Sequence, residues 1–432
     1  MTVEIDNLTS QIQMAAGKAG EPTSFTQKRL SALKLMNQLA MPRMQEFSYK
    51  GWPIMPADGQ LSLNFPQASD QVVQAAQTNQ PDKPYFYGFA GTQLVSTNHG
   101  DQLKKAGVFC GSLAQAEKEQ AAIVDKYFMS VVKPDEDRLT AYHAAFVNGG
   151  AVVYVPRGVE VKEPIELRLV QDSTAADQPL VFHLLIVAAP GARFSVMQHL
   201  MTVGDQANSA NIIVEVVAQE DSEVHFSALD EMSAKTTVYH SRRAHLDAHA
   251  NVEWAVGLMN DGNTLGDLDS ELLGEGAKAD SKLIAITAKQ QHVGINNRVT
   301  NRGLHTTGLI NQRGVVLDSS ELIFNGIGQI VHGAHGSNAE QQNRLLMMGK
   351  EARGDANPIL LIDENDVDAG HAASVGQVDE NQMYYLLSRG IPEPIAQRMV
   401  IRGFLSAVLT VMPTQELKDK MLAILERKLG HE

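Results

Sequence analysis

Pro190-Gly191-Ala192-Arg193-Phe194-Ser195-Val196, Glu220-Asp221-Ser222-Glu223-Val224-His225-Phe226 and Asp247-Ala248-His249-Ala250-Asn251-Val252-Glu253-Trp254 share one pattern, a polar turn followed by an alternating strand. Their apolar residues Phe194, Val224 and Val252 lie 30 and 28 positions apart, an imperfect period. Stacked solenoid rungs need such spacing, because one rung cannot bury its apolar face until a neighbour covers it. A sandwich or closed barrel with irregular loops has much the same texture, so the pattern alone leaves these folds open.

Working outward, Ala151-Val152-Val153-Tyr154-Val155 begins the β region just after Gly149, and residues 191 to 357 contain no proline. A central strand cannot spare its backbone N–H, so a long proline-free run suits many paired strands. The flanks read as helical. Ser24-Phe25-Thr26-Gln27 resembles a capping box ahead of Leu30, Leu33, Met36 and Leu39, with Pro42 closing that helix. Further helices are expected over 112–127 and 138–146, then over Asn381 to Leu387, closed by Gly390. Another follows with Ile395, Met399, Phe404 and Val408, and Pro413 separates a last helix whose stripe is Leu417, Met421, Ile424 and Leu425. The expected division is a helical and loop region over 1–148, a β core over 149–367 and a helical region over 368–432.

The 432 residues are 44% hydrophobic and 20% charged, as in an ordinary globular protein, and the net charge of -14 argues against nucleic acid or an anionic membrane as partner. The first residues have neither a basic nor an apolar leader, and no stretch reaches the ~18 apolar residues of a membrane span. A cytoplasmic location is expected. Cys110 is the only cysteine, which excludes intrachain disulfides, a four-cysteine zinc site and a self-contained four-thiolate cluster. Any cluster chemistry must borrow ligands from another chain.

Few residues look chemically active by spacing alone. His245, Asp247 and His249 alternate as strand neighbours on one face would, and so could present two imidazoles and a carboxylate; a polar solvent face near a turn explains them better, because Arg242 and Arg243 oppose a cation. His332-Gly333-Ala334-His335 is equally ambiguous. Gly326-Ile327-Gly328 lacks the third glycine and the following helix of a phosphate cradle. Asp267 and Asp269 form a carboxylate pair that nothing ties to a leaving group. Cys110, with Phe109 beside it and no nearby base, reads as a buried small hydrophobe. No catalytic residue is assigned.

Near the end of the β region, Ala339-Glu340-Gln341-Gln342-Asn343-Arg344-Leu345-Leu346 leads through Asn357-Pro358-Ile359-Leu360 to Asp366-Val367-Asp368-Ala369-Gly370-His371-Ala372-Ala373-Ser374-Val375-Gly376. This closely resembles the SufB/SufD family of iron-sulfur cluster assembly proteins. Tyr385-Leu386-Leu387-Ser388-Arg389-Gly390-Ile391 and Gly403-Phe404 continue the likeness. So do Pro42 to Lys50, Val155-Pro156-Arg157-Gly158 and Glu163-Pro164-Ile165-Glu166-Leu167. The resemblance implies a mainly β fold, a right-handed parallel β-helix between N-terminal and C-terminal helical regions.

It also implies a scaffold or accessory subunit, not an enzyme, acting with a SufB-type scaffold protein and a SufC-type ATPase docked on the C-terminal helices. A homodimer of the isolated chain stays open. The single cysteine favours the SufD side of the family. His371 matches a family histidine at the interface between the two scaffold proteins, where it is expected to help hold a transient iron-sulfur cluster; the cysteine often found two residues earlier is Ala369 here. An imidazole suits iron, and mixed nitrogen and sulfur ligation suits a scaffold that must release its product. A flavin is associated with such assemblies, but no flavin fingerprint is present in this sequence. The rival readings are a secreted-type β-helix carbohydrate-active enzyme, which predicts a secretion signal and clustered carboxylates, and a homo-oligomeric structural protein without iron chemistry.

Overall fold

The computed structural model describes residues 5–77, 84–410 and 415–430. Pro413, expected to break a helix, lies outside the described residues. The strands are β1 (Phe86–Ala90), β2 (Gln93–Asn98), β3 (Phe109–Ser112), β4 (Gly149–Val155), β5 (Ile165–Ser173), β6 (Leu180–Ala188), β7 (Arg193–Gly204), β8 (Asn208–Ala218), β9 (Glu223–Glu231) and β10 (Thr236–Leu246). They continue as β11 (Asn251–Leu258), β12 (Thr264–Leu272), β13 (Lys278–Thr287), β14 (His292–Asn301), β15 (Thr307–Val316), β16 (Glu321–Ile330), β17 (Asn338–Met347), β18 (Arg353–Ile362) and β19 (Asp368–Gln377). The helices are α1 (Ile5–Ala19), α2 (Thr23–Leu35), α3 (Asp70–Ala76), α4 (Gly100–Lys105), α5 (Leu113–Glu119), α6 (Ala121–Tyr127), α7 (Arg138–Phe146), α8 (Glu380–Ser388), α9 (Glu393–Leu409) and α10 (Gln415–Lys428).

From β4 onward, each strand pairs in parallel with the strand two places away in sequence, giving one sheet of odd-numbered and one of even-numbered strands. This is a parallel β-solenoid of about eight turns, and it resolves the choice that the repeat pattern leaves open. Its rungs are joined by a stack of turn residues in the left-handed region: Gly158, Gly191, Asp221, His249, Gly276, His305 and Gly336, with φ between 56° and 72°. The backbone N–H of each donates to a carbonyl of the next rung at 2.8–3.0 Å, from Gly158 to Pro190 through to Gly336 and Asp366. Glycine, aspartate and histidine fill these places because bulkier or β-branched side chains resist positive φ. The imperfect spacing of the sequence units is the spacing of this stack.

The lumen is filled by alternating strand residues, with Phe226 and Trp254 packed edge to face at 5.1 Å between centroids. The indole N–H of Trp254 donates to Ser270 Oγ at 3.0 Å, so a ring buried in the lumen leaves no orphaned donor. Outside, α1, α2 and α5 to α7 cover the even sheet through Leu33, Phe128 and Phe146 against Leu185 and Ile213. The Phe128–Val132 loop is held there by Glu215, which accepts from the N–H groups of Met129, Val131 and Val132 at 2.6–2.8 Å. Helices α9 and α10 lie on the odd sheet, where Ile401, Leu405, Met421 and Leu425 meet Leu229, Ile284 and Val315.

Three expectations change. Ser24 does not cap a helix: α2 begins at Thr23 after Pro22, and no side chain caps it. The region expected to be only helices and loops supplies β1, which joins the odd sheet beside β5, and β3, which joins the even sheet beside β4. These strands are short and flanked by polar turns, so their period is hard to see. Residues 368–377, expected in the helical region, form β19, paired in register with β17. Alanine and glycine hide its alternation, because an end strand has no further rung to pack against.

Candidate functional site at the open end of the solenoid

The two ends of the solenoid are built differently. At the N-terminal end, β2 runs antiparallel to β1 and β3 antiparallel to β4, so the edges are closed by reversed strands. At the other end, β19 and β18 are the outermost strands of their sheets. Among the described residues no further strand pairs with either of them. On β17, Ala339, Gln341, Asn343 and Leu345 are buried, whereas nearly every residue of β19 is exposed and Leu361, Ile362 and Val375 present apolar side chains to solvent. Two bare edges with unpaired backbone groups are a template for another chain.

His371 sits in the middle of this end. Register places it beside Gln341, so Ala369, His371, Ala373 and Val375 share the lumen-facing side of β19. Its neighbours Gly370, Ala372 and Ala373 are small and leave the imidazole accessible. Below it lie the carboxamides of Gln341, Asn343 and Gln312, which are buried in the last rungs. Opposite them Gly326 makes room, since a Cβ there would come within 2.4 Å of both Gln341 and Asn343. The Gly326-Ile327-Gly328 run is therefore structural, a hollow in the lumen wall.

The other candidates do not converge. His245 points outward from β10 beside Glu271, while His249 is a left-handed turn residue, so the two do not share a strand face. His332 and His335 flank Glu364 at 3.7 and 3.4 Å, but that carboxylate is already engaged by the N–H groups of Gly333 and Asn365. Among the described residues no three His, Cys, Asp or Glu side chains form a group that could hold a metal ion. Asp267 and Asp269 are on the outer face of β12 with Arg243, whose guanidinium also meets Glu136 at 2.7 Å. Burial raises the pKa of both carboxyls.

Cys110 is buried in β3, and burial pushes its thiol far above the ordinary range. Its position matters more than its protonation. β3 is the outermost strand at the closed end of the even sheet and β19 the outermost at the open end of the odd sheet. The chain's only thiol and His371 are thus separated by the length of the solenoid.

Two family models match. The SufBD core domain of SUF-system FeS cluster assembly covers residues 170–404, and the SufBD protein N-terminal region covers 18–167. The chain belongs to the SufB/SufD family. The iron-sulfur cluster assembly protein SufD of Bacillus subtilis (strain 168) is 38% identical over 420 residues, 95% of each chain. An iron-sulfur cluster assembly SufBD family protein of Staphylococcus haemolyticus (strain JCSC1435) is 23% identical over 407 residues, covering 91% of this chain and 87% of the relative. This SufB/SufD-family chain is an iron-sulfur cluster assembly subunit of the SUF system. Its role is that of a scaffold or accessory subunit. Among the described residues no helix is long and apolar enough to cross a membrane.

Gln341 and Asn343 belong to no metal-ligand or catalytic spacing in the sequence. Their signal is visible in hindsight as polar residues at alternate, lumen-facing positions of a strand that should bury apolar ones.

Proposed function

We propose that the open end receives a SufB-type scaffold chain, and that His371 presents its imidazole there to a nascent iron-sulfur cluster whose thiolate ligands come from that partner. The carrying observation is the pair of bare edges, β18 and β19, with an accessible imidazole on the lumen side between them. Added strands on those edges would satisfy the unpaired backbone groups and shelter the cluster from water. The cluster is cargo, so one imidazole among borrowed thiolates suits release better than permanent four-thiolate ligation would.

A second surface suits the SufC-type ATPase. None of the residues of α8 is buried, and Tyr384, Tyr385 and Leu387, like Ile395 and Met399 of α9, present large apolar side chains to solvent. The stripe of α10 is not available, since Leu417, Met421, Ile424 and Leu425 are spent on the odd sheet. The assembly would work in the cytoplasm, and a flavin, if one takes part, would be carried by the complex.

The test is anaerobic purification of the complete assembly with wild-type chain or His371→Ala, followed by iron and sulfide analysis. Replacing an exposed side chain typically changes stability by no more than ~0.5 kcal/mol, so the complex should form normally. Cluster yield should fall several-fold. Parental yield from the variant complex would remove His371 from the site.

A further inference from the structure

We infer that Gln341 is the positioning residue for His371: its side-chain oxygen accepts a ring N–H and holds the imidazole across the mouth of the lumen. This deepens the reading of His371 given above. Gln341 and His371 are register partners on adjacent parallel strands and face the same side, which sets their side chains about 4.8 Å apart along the solenoid. Gln341 is 2% exposed. Its Nε2 donates to the carbonyl of Ile359 on β18 at 2.9 Å, whereas its Oε1 is buried without a partner. A flipped amide would set oxygen against oxygen, so the Ile359 carbonyl fixes which atom is left free.

A buried acceptor without a donor costs about 1–3 kcal/mol. The donor with the right register is the imidazole one rung outward. Histidines that ligate metals commonly donate their other ring N–H to such an acceptor, which fixes tautomer and ring plane. Gly326 supports the arrangement: any Cβ there would collide with Gln341 Oε1. Asn343 and Gln312 also carry unpartnered amide atoms, and ordered water in the same hollow would satisfy them.

The test uses the full-length chain without iron or partner, labelled with ¹⁵N-histidine and held at pH 8. The His371 signal is identified by its loss in His371→Ala. Wild type should show one dominant tautomer. Gln341→Met, which keeps length but removes the acceptor, should give a mixture, and Gln341→Glu, which keeps an acceptor, should restore the single form. Both variants lose the bond to the Ile359 carbonyl, so their difference isolates the acceptor. In the complete assembly, Gln341→Met should retain about tenfold less cluster than Gln341→Glu.

A tautomer mixture in the wild type overturns the assignment without any variant, which guards against a misfolded Gln341→Met. An unchanged tautomer in Gln341→Met also overturns it and assigns the oxygen to water. Equal shifts in both variants would reduce Gln341 to a structural tie. Because the spectrum needs no iron, it can stand even if His371→Ala leaves cluster yield unchanged.

Discussion

Arg242→Met should be among the most damaging single substitutions in the solenoid. Arg242 and Asp230 both point into the lumen, with side chains 1% and 0% exposed, and Arg242 Nη2 meets Asp230 Oδ1 and Oδ2 at 2.8 and 2.9 Å. Gln198 Oε1 accepts from the same nitrogen at 3.1 Å. Burial alone raises the Asp230 pKa, and Arg242 works against that rise. His240 lies alongside, but burial and the neighbouring Arg242 hold it neutral, so it cannot take over the charge. Removing one partner of a buried pair typically costs ~3–5 kcal/mol, whereas replacing both by apolar residues of similar volume is often neutral or stabilising. Arg242→Met should therefore lose ~3–5 kcal/mol, and Asp230→Leu with Arg242→Met should recover most of it. The single-variant loss should grow from pH 5 to pH 8, because an unpaired carboxyl escapes the penalty only by protonation. Urea unfolding followed by circular dichroism and by Trp254 fluorescence would read this, since Trp254 fills the lumen on the adjoining strand β11. A single-variant loss below ~1 kcal/mol, or a double variant equal to the sum of its parts, would refute a pair that matters through uncompensated charge.

Three further outcomes are expected. Gly274→Ala should destabilise by about 3 kcal/mol or more and lower the melting temperature, because its Cβ would fall 2.0 Å from the backbone nitrogen of Ala248 and stacked turns cannot separate. Glu117, whose pKa burial and the nearby Glu21 push up to about 7, favours its protonated form in the fold, so stability should fall as pH rises from about 4.5 to about 7; Glu117→Gln should match wild type at pH 4 and be more stable at pH 8, checked by melting curves across that range. Tyr384→Asp with Met399→Asp should weaken binding of a SufC-type ATPase by about 30-fold in calorimetry, a loss of ~2 kcal/mol, while leaving the melting temperature in place because both side chains are exposed.

The legible parts of this fold were those with a local cause. Turns at Gly191, Asp221 and His249 announce themselves because positive φ admits few residue types, and the proline-free run ends at Pro358, which falls in β18, where the even sheet reaches its edge. The helix expected over 138–146 forms as Arg138–Phe146, where Asp137 caps it by accepting from the N–H groups of Leu139 and Thr140. The choice between solenoid and sandwich was not legible from period, because both bury alternate residues and differ only in which strands pair. His371 is marked by its motif, whereas Gln341 acquires meaning only from the register that stacks it beneath His371. The spacing of His245 and His249 misleads for the same reason, since a strand period was applied across a turn.

In the proposed reading, the division of labour in the assembly follows from where this chain keeps its only thiol and His371. A cluster needs several ligands within bonding distance at once, and the only thiol is locked, protonated, in the closed end while His371 stands at the open one. No rearrangement short of unfolding the rungs between β3 and β19 could bring them together, because each rung is hydrogen-bonded to the next along both sheets. In the proposed reading the chain contributes geometry and one imidazole, because among the described residues no three His, Cys, Asp or Glu side chains form a group that could hold a metal ion. On the proposal made above, cluster binding would depend on the strands that cover β18 and β19, and the contact that completes the sheets would also complete the ligand set. Separating the two scaffold chains would then expose the edges and strip the cluster of its thiolates together, which couples release of the cargo to movement of the partner.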